Sequence, residues 1–356
     1  QRTPEHRALA ARAAAAAVVL LKNEGGLLPL SRATAPRLAV VGPPADAKCS
    51  AADQDMGRCM NYFGGGSGSV VPGEAVTPLQ GILRRAQREG VQVVPPRDFD
   101  SVEAAVNAAV MADVVVVVGA CTATEFVDRD VFSPTLSLAG NVDTMIATVA
   151  AYKPTVVLMQ TPGAVIMPWL PKVKAVANLF LAGEETGTAW ASLLFGDASP
   201  EGKLPLQFPK DVKHTIRNEQ SRHFEYGEGL FTSYRSPEAQ YAFPFGHGLS
   251  YTTFEYGEPA MAGGACLARL CVNLTVRNTG ERAGREVVQA YMEFEATDTP
   301  RRLLRGFRKT GLLKPGESEA ALFSFTDRDL SLFSVAEDDW VLQERGVVHF
   351  GASSAD

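Results

Sequence analysis

The sequence predicts an α/β domain built on a mostly parallel sheet, followed by an all-β sandwich. Two observations carry this. From Leu38 onward, apolar runs of strand length alternate with helical stretches, which is the pattern of βαβ units around a buried sheet. Near Phe208-Pro209 that pattern stops, and from Leu267 the chain becomes short alternating strands punctuated by turns.

The expected core strands are Leu38 to Gly42, Val91 to Pro95, Val114 to Gly119, Thr155 to Met159 and Ala175 to Phe180. Helices are expected near Pro4 to Ala17, Thr77 to Glu89, Val102 to Met111, Leu138 to Ala151 and Thr186 to Leu194. Pro4 and Pro78 suit first-turn positions, where a missing N–H removes no bond. Residues 210–255, rich in aromatic, Gly and Pro residues, read as an ordered connector. Expected sandwich strands are Cys271 to Arg277, Val287 to Phe294, Leu303 to Leu313, Ala320 to Phe325 and Val347 to Gly351. Their turns lie at Asn278-Thr279-Gly280 and Lys314-Pro315-Gly316-Glu317. The domain expectation is therefore 1–209, a connector at 210–255, and 256–356.

A length of 356 residues suits two domains. The net charge of −6, without any Lys/Arg run, argues against nucleic acid or an anionic membrane as partner. No apolar run approaches the roughly 20 residues of a membrane span. The five cysteines pair suggestively: Cys49 with Cys59 around one loop, and Cys266 with Cys271 at the opening of the sandwich, leaving Cys121 over. Two bridges, together with the sequon Asn273-Leu274-Thr275, point to an oxidising compartment and a secreted, extracellular or luminal/vacuolar protein. No spacing suggests a metal site, and no cofactor is expected.

Catalytic groups of open α/β sheets gather where strands end. Glu125 stands six residues beyond Gly119, at the end of the valine strand, and is the candidate catalytic residue. Ser67 lies in the glycine-rich run Gly64-Gly65-Gly66-Ser67-Gly68, which lacks the Lys-Ser/Thr ending of a phosphate loop. None of His6, His214, His223, His247 and His349 gives Ser67 a nucleophile-elbow context, and His247 between two glycines reads as a packed turn residue. Trp169 and Trp190 read as core. Tyr226, Glu228 and Tyr234 are candidates for contact with a partner domain.

The segment Glu125-Phe126-Val127-Asp128-Arg129 resembles the acid/base loop of glycoside hydrolase family 3. Other runs fall in that family's order: His6 to Ala10, Val18 to Glu24, Gly64 to Pro72 with Val76 to Ile82, Ala182 to Gly187, Leu194 to Asp197, and Phe243-Pro244-Phe245-Gly246-His247-Gly248-Leu249-Ser250-Tyr251. Arg277-Asn278-Thr279-Gly280 through Gln289 resembles the family's third domain, of fibronectin type III kind.

The resemblance implies hydrolysis of O-glycosidic bonds by a retaining β-glucosidase or β-xylosidase type of enzyme. Glu125 would be its general acid/base, and the nucleophilic Asp would lie on a TIM barrel, upstream or on another chain. This chain alone would then be inactive, and its partners would be that barrel and a glycoside. Asp339-Trp340 falls in the sandwich and reads as structural. A general acid needs a raised pKa, which Phe126 beside Glu125 would promote by desolvation. Asp128 and Arg129 are expected to hold the loop as an ion pair. Two residues before Glu125, where the Phe-bearing branch of the family usually carries another Glu, this chain has Ala123. The alternative is a non-catalytic structural or carbohydrate-binding component derived from such an enzyme.

Overall fold

The computed structural model describes residues 3–50, 56–70, 72–125, 128–129, 136–216, 225–263, 266–296 and 299–356. It divides into two compact units, Gln1–Gly202 and Lys203–Asp356. Residues 210–255 thus belong with the second unit.

In the first unit, helices α1 (Pro4–Ala17), α2 (Met56–Phe63), α3 (Pro78–Glu89), α4 (Val102–Val110), α5 (Val142–Val149) and α6 (Thr186–Phe195) accompany eight strands. The strands are β1 (Val19–Asn23), β2 (Arg37–Val41), β3 (Gln92–Val94), β4 (Val114–Ala120), β5 (Ala123–Thr124), β6 (Asp128–Arg129), β7 (Thr155–Gln160) and β8 (Ala175–Asn178). Six of them form one sheet in the order β1-β8-β7-β4-β2-β3. All neighbours are parallel except β1, which lies antiparallel along β8.

Every residue of β4 and of β7 is buried, which is why these strands read as unbroken apolar runs instead of alternating ones. The crossover connections of a parallel sheet lay helices over its faces, so no position is left for a solvated side chain. All five expected core strands are in this sheet.

Local chemistry starts and stops the helices. Thr3 caps α1 by accepting from the His6 N–H, and Ser101 caps α4 by accepting from Ala104 N–H. Thr77 and Gln80 form a reciprocal capping box on α3, which ends at Gly90 in the left-handed region. Helix α5 is shorter than Leu138 to Ala151: the Ala139 N–H is committed to Ala120 O, and Gly140 has φ +64°, so helical bonding starts only after Asn141. Helix α2 is not among the helices that the sequence predicts.

Helices α3 and α6 cross at two glycines. A Cβ on Gly81 would stand 2.0 Å from Gly187 O, and one on Gly187 would stand 2.1 Å from Thr77 O, so only glycine permits this approach. Trp169 and Trp190 are core residues, 1% and 0% exposed, with their indole N–H groups donated to Asp143 and Gln160. The Glu185 carboxylate is buried and accepts from Arg7 of α1 at 2.9 Å and from the Thr188 hydroxyl at 2.6 Å, tying α1 to the start of α6.

The second unit opens with a small antiparallel pair, β9 (Phe208–Pro209) and β10 (Tyr241–Phe243). Then come β11 (Phe254–Tyr256), β12 (Ala260–Met261), β13 (Leu270–Asn278), β14 (Val287–Phe294), β15 (Leu303–Lys309), β16 (Ser318–Phe325), β17 (Ser331–Ser334), β18 (Asp339–Leu342) and β19 (Gly346–Gly351). One sheet centres on β13, flanked by β11, β12 and β16; the other runs β15-β14-β19; β17 and β18 form a hairpin. Inward residues of both sheets, among them Leu274, Val276, Val288, Met292, Phe323 and Phe325, share one core. The expected strand from Leu303 to Leu313 ends early, at Lys309.

Two buried amides explain the motifs around them. Asn278 donates to Arg282 O and Leu313 O and accepts from Thr252 and from the Gly280 N–H, so its side chain ties three turns together. Gln289 donates to Gly246 O and Ala352 O, and a Cβ on Gly246 would lie 2.1 Å from the Gln289 Oε1. A glycine is therefore required in the Phe245-Gly246-His247 turn. His247 stacks on Phe243 there, the packed turn residue expected. Tyr234 stacks on Phe245 and its hydroxyl accepts from the Leu304 N–H, so it is engaged inside this unit.

Candidate active site

Beyond β4 the chain turns back on itself. β5 and β6 pair antiparallel, with Thr124 opposite Asp128, and this places Glu125 at the start of the connecting turn, outside the carboxyl end of a central strand. Glu125 is exposed. Phe126 lies outside the described residues, as do the side chains of Asp128 and Arg129 and hence their expected ion pair. At Ala123 the backbone carbonyl accepts from the Gly65 N–H at 3.0 Å.

That bond docks the glycine-rich run against the hairpin. The run leaves α2 with Gly64 at φ +73° and turns again at Gly66, φ +85°. Both glycines satisfy backbone conformations that side chains rarely adopt, and space is short as well: a Cβ on Gly66 would stand 2.6 Å from the Glu125 Cβ. This approach delivers Ser67 to the carboxylate. Its N–H donates to Glu125 Oε2 at 3.1 Å, and its hydroxyl donates to the same oxygen. The sequence offers Ser67 neither a nucleophile nor a phosphate-loop context, and its pairing with Glu125 is a finding of the structure. The signal that could have found its role is its position after a glycine able to turn the chain sharply.

The two Ser67 donors, the hydroxyl first and the backbone N–H second, hold the Glu125 pKa below the usual carboxylate value, against a weaker upward push from desolvation. This corrects the expectation of a raised pKa. In this unit Glu125 is stabilised as an anion, because both neighbouring groups donate to it.

A small core stands behind the glycine run. Cys49 and Cys59 are bridged and pack with Tyr62 and Ala75. The buried Tyr62 hydroxyl donates to Ala47 O, Ala75 N–H donates to Cys49 O, and burial pushes the Tyr62 pKa up. Cys266 and Cys271 form the second bridge; Cys121 is buried and belongs to neither bridge. Asn273 of the sequon lies within β13 between two paired strands, with its Oδ1 shielded from solvent, whereas glycosylated asparagines usually sit on exposed loops.

Among the other candidates, Tyr226 is 77% exposed, and His349 pairs with Glu293 at 3.0 Å. His223 lies outside the described residues. Asp339-Trp340 falls on β18, where Phe333 and the Arg328 guanidinium pack against the Trp340 ring. Among the described residues, no group of three or more His, Cys, Asp or Glu is placed to hold a metal ion, and no helix is long and apolar enough to cross a membrane.

Comparisons with known proteins agree along the length of the chain. The model of the glycosyl hydrolase family 3 C-terminal domain matches residues 18–251, and that of the fibronectin type III-like domain matches residues 286–354. A probable beta-glucosidase L of Aspergillus fumigatus is 32% identical over 99% of this chain and 52% of its own length. An exo-alpha-(1->6)-L-arabinopyranosidase of Bifidobacterium breve is 32% identical over 99% of this chain and 48% of its own. The crystal structure of the beta-glucosidase D2-BGL from Chaetomella raphigera superposes with a TM-score of 0.86 at 29% identity, covering 99% of this chain and 54% of that one. The chain spans about half the length of the curated relatives it matches.

Proposed function

The chain belongs to glycosyl hydrolase family 3, and from that premise we propose that Glu125 is the general acid/base of a retaining β-glycosidase whose nucleophile stands on a further barrel domain. The observation that carries this reading is the placement of Glu125: exposed, at a turn beyond the central strand β4, and gripped through one oxygen by Ser67. Its other oxygen, Oε1, has no hydrogen-bond partner among the described residues and would meet the glycosidic oxygen.

The low pKa fits one half of the chemistry. In the second step of a retaining reaction the residue must take a proton from water, and a carboxylate does that. In the first step it must give a proton. A nucleophilic carboxylate about 5–5.5 Å away, together with exclusion of water by the barrel, would raise its pKa for that purpose. Relatives named for β-glucosidase and arabinopyranosidase activity support a glycoside of glucose or a pentose as substrate. The two disulfides support a secreted or luminal setting, where such bridges persist.

The test is Glu125→Gln in the protein together with its barrel. Loss of a general acid should slow hydrolysis of an alkyl glycoside by about 10²- to 10⁴-fold. A dinitrophenyl glycoside, whose leaving group needs no proton, should lose far less in the glycosylation step. Equal losses on both substrates, or none on either, would remove Glu125 from the acid role.

A further inference from the structure

The five parallel strands run β3-β2-β4-β7-β8, so the connections from β2 and from β4 leave in opposite directions along the sheet. Between them lies a topological switch point, the place where open α/β sheets leave a crevice outside their strand ends. A cavity of about 570 Å³ occupies it, within the size range of small-molecule sites. Its walls come from the segment after β2, the segment between β3 and α4, the end of β4 and the start of α5.

We infer that this crevice, whose lining includes neither Ser67 nor Glu125, binds a neutral saccharide through its hydroxyl groups. The lining is part apolar, with Pro43, Pro44 and the half-buried Phe99, and part hydrogen-bonding, with Asp46, Asn61, Arg97, Asp98 and Asp100. Much of that bonding capacity is unspent. Asp46 gives one oxygen to the Thr77 hydroxyl and Asp98 gives one to the Asp100 N–H. The Arg97 guanidinium and the Asp100 carboxylate have no side-chain partner among the described residues, although they flank Asp98 in sequence and line the same cavity.

Charge and geometry select the ligand class. Three carboxylates against one guanidinium repel the phosphates that usually fill such crevices, and the glycine-rich run that could have cradled a phosphate is committed to Glu125. The carboxylates are not grouped to ligate a cation, since no metal-competent cluster occurs among the described residues. What remains is a ligand that offers many O–H donors without charge. A carboxylate can accept from two neighbouring hydroxyls, Arg97 can donate to ring or hydroxyl oxygens, and Phe99 and the prolines can cover the C–H face of a sugar ring. The inference does not depend on Glu125 being catalytic.

The 356-residue chain can be titrated with D-glucose and cellobiose by calorimetry and by saturation-transfer NMR, with inorganic phosphate and Ca²⁺ as parallel probes. Saturable saccharide binding is expected. Asp98→Asn, and separately Phe99→Ala, should each weaken it about tenfold, the loss of one hydrogen bond to a charged group or of one ring contact. Glu125→Gln should leave it unchanged, so failure here and failure of the acid/base reading are read in different experiments. Melting curves establish that each variant is folded, and Arg97→Ala replaces either one that is not. Absence of saccharide binding, unaltered affinity in the crevice variants, loss of binding in Glu125→Gln, or displacement of saccharide by phosphate or Ca²⁺ would each overturn the inference.

Discussion

Ser67 donates both its backbone N–H and its hydroxyl to one carboxylate oxygen of Glu125, across 58 positions of sequence. Together with the Gly65 N–H to Ala123 O bond, this contact joins the glycine-rich run to the hairpin beyond β4. It holds the pKa of the residue that the acid/base reading depends on below the ordinary carboxylate value.

Ser67→Ala should therefore raise the Glu125 pKa, since the hydroxyl is the larger of the two influences lowering it. The folded-state value now lies below the unfolded one. Its contribution to stability is thus complete above the unfolded-chain value of about 4.3 and is lost as pH falls through the folded value. A carbon-detected NMR titration of the Glu125 carboxyl in both proteins checks the shift. An unmoved titration midpoint would mean that the hydroxyl does not set it.

Gly66→Ala should damage the same contact from the other side. The new Cβ would meet the Glu125 Cβ at 2.6 Å, and the residue would be held at φ +85°. Left-handed backbone alone costs about 1–2 kcal/mol for an L-residue. Chemical denaturation should show at least that loss, with the Ser67 amide resonance displaced. Wild-type stability in this variant would show that the turn relaxes freely.

Cys49→Ser/Cys59→Ser should loosen the base of α2, because the bridge and Tyr62 form the small core behind Gly64. Closing a loop of this size is worth about 2–4 kcal/mol. Hydrogen exchange should accelerate at Gly65 and Ser67, whose amides hold the hairpin and the carboxylate. Exchange there at the wild-type rate would separate the bridge from the site.

Arg7→Ala should destabilise the first unit by about 1–3 kcal/mol, because it leaves the buried Glu185 carboxylate with Thr188 as its remaining side-chain partner among the described residues. Glu185→Gln should cost less, since Arg7 is half exposed and water can solvate it. Urea unfolding of the two variants tests the order, and a reversed order would place the stabilising role on Arg7 itself.

Sequence by itself determined the elements whose causes are local. Val114 to Val118 could be read as a central parallel strand because burial on both faces demands an unbroken apolar run. Pro4 and Pro78 marked helix starts because in the first turn a missing N–H removes no bond. Glu125 was legible as a candidate because functional groups collect at strand ends. Tertiary structure decided whatever joins distant segments. It placed β1 antiparallel on the sheet edge, opened the switch-point crevice between β2 and β4, and brought Arg7 to Glu185. It also reversed the expected pKa of Glu125, because a contact between residues 58 positions apart leaves no periodicity in the chain and exists only once the glycine run has folded against the hairpin.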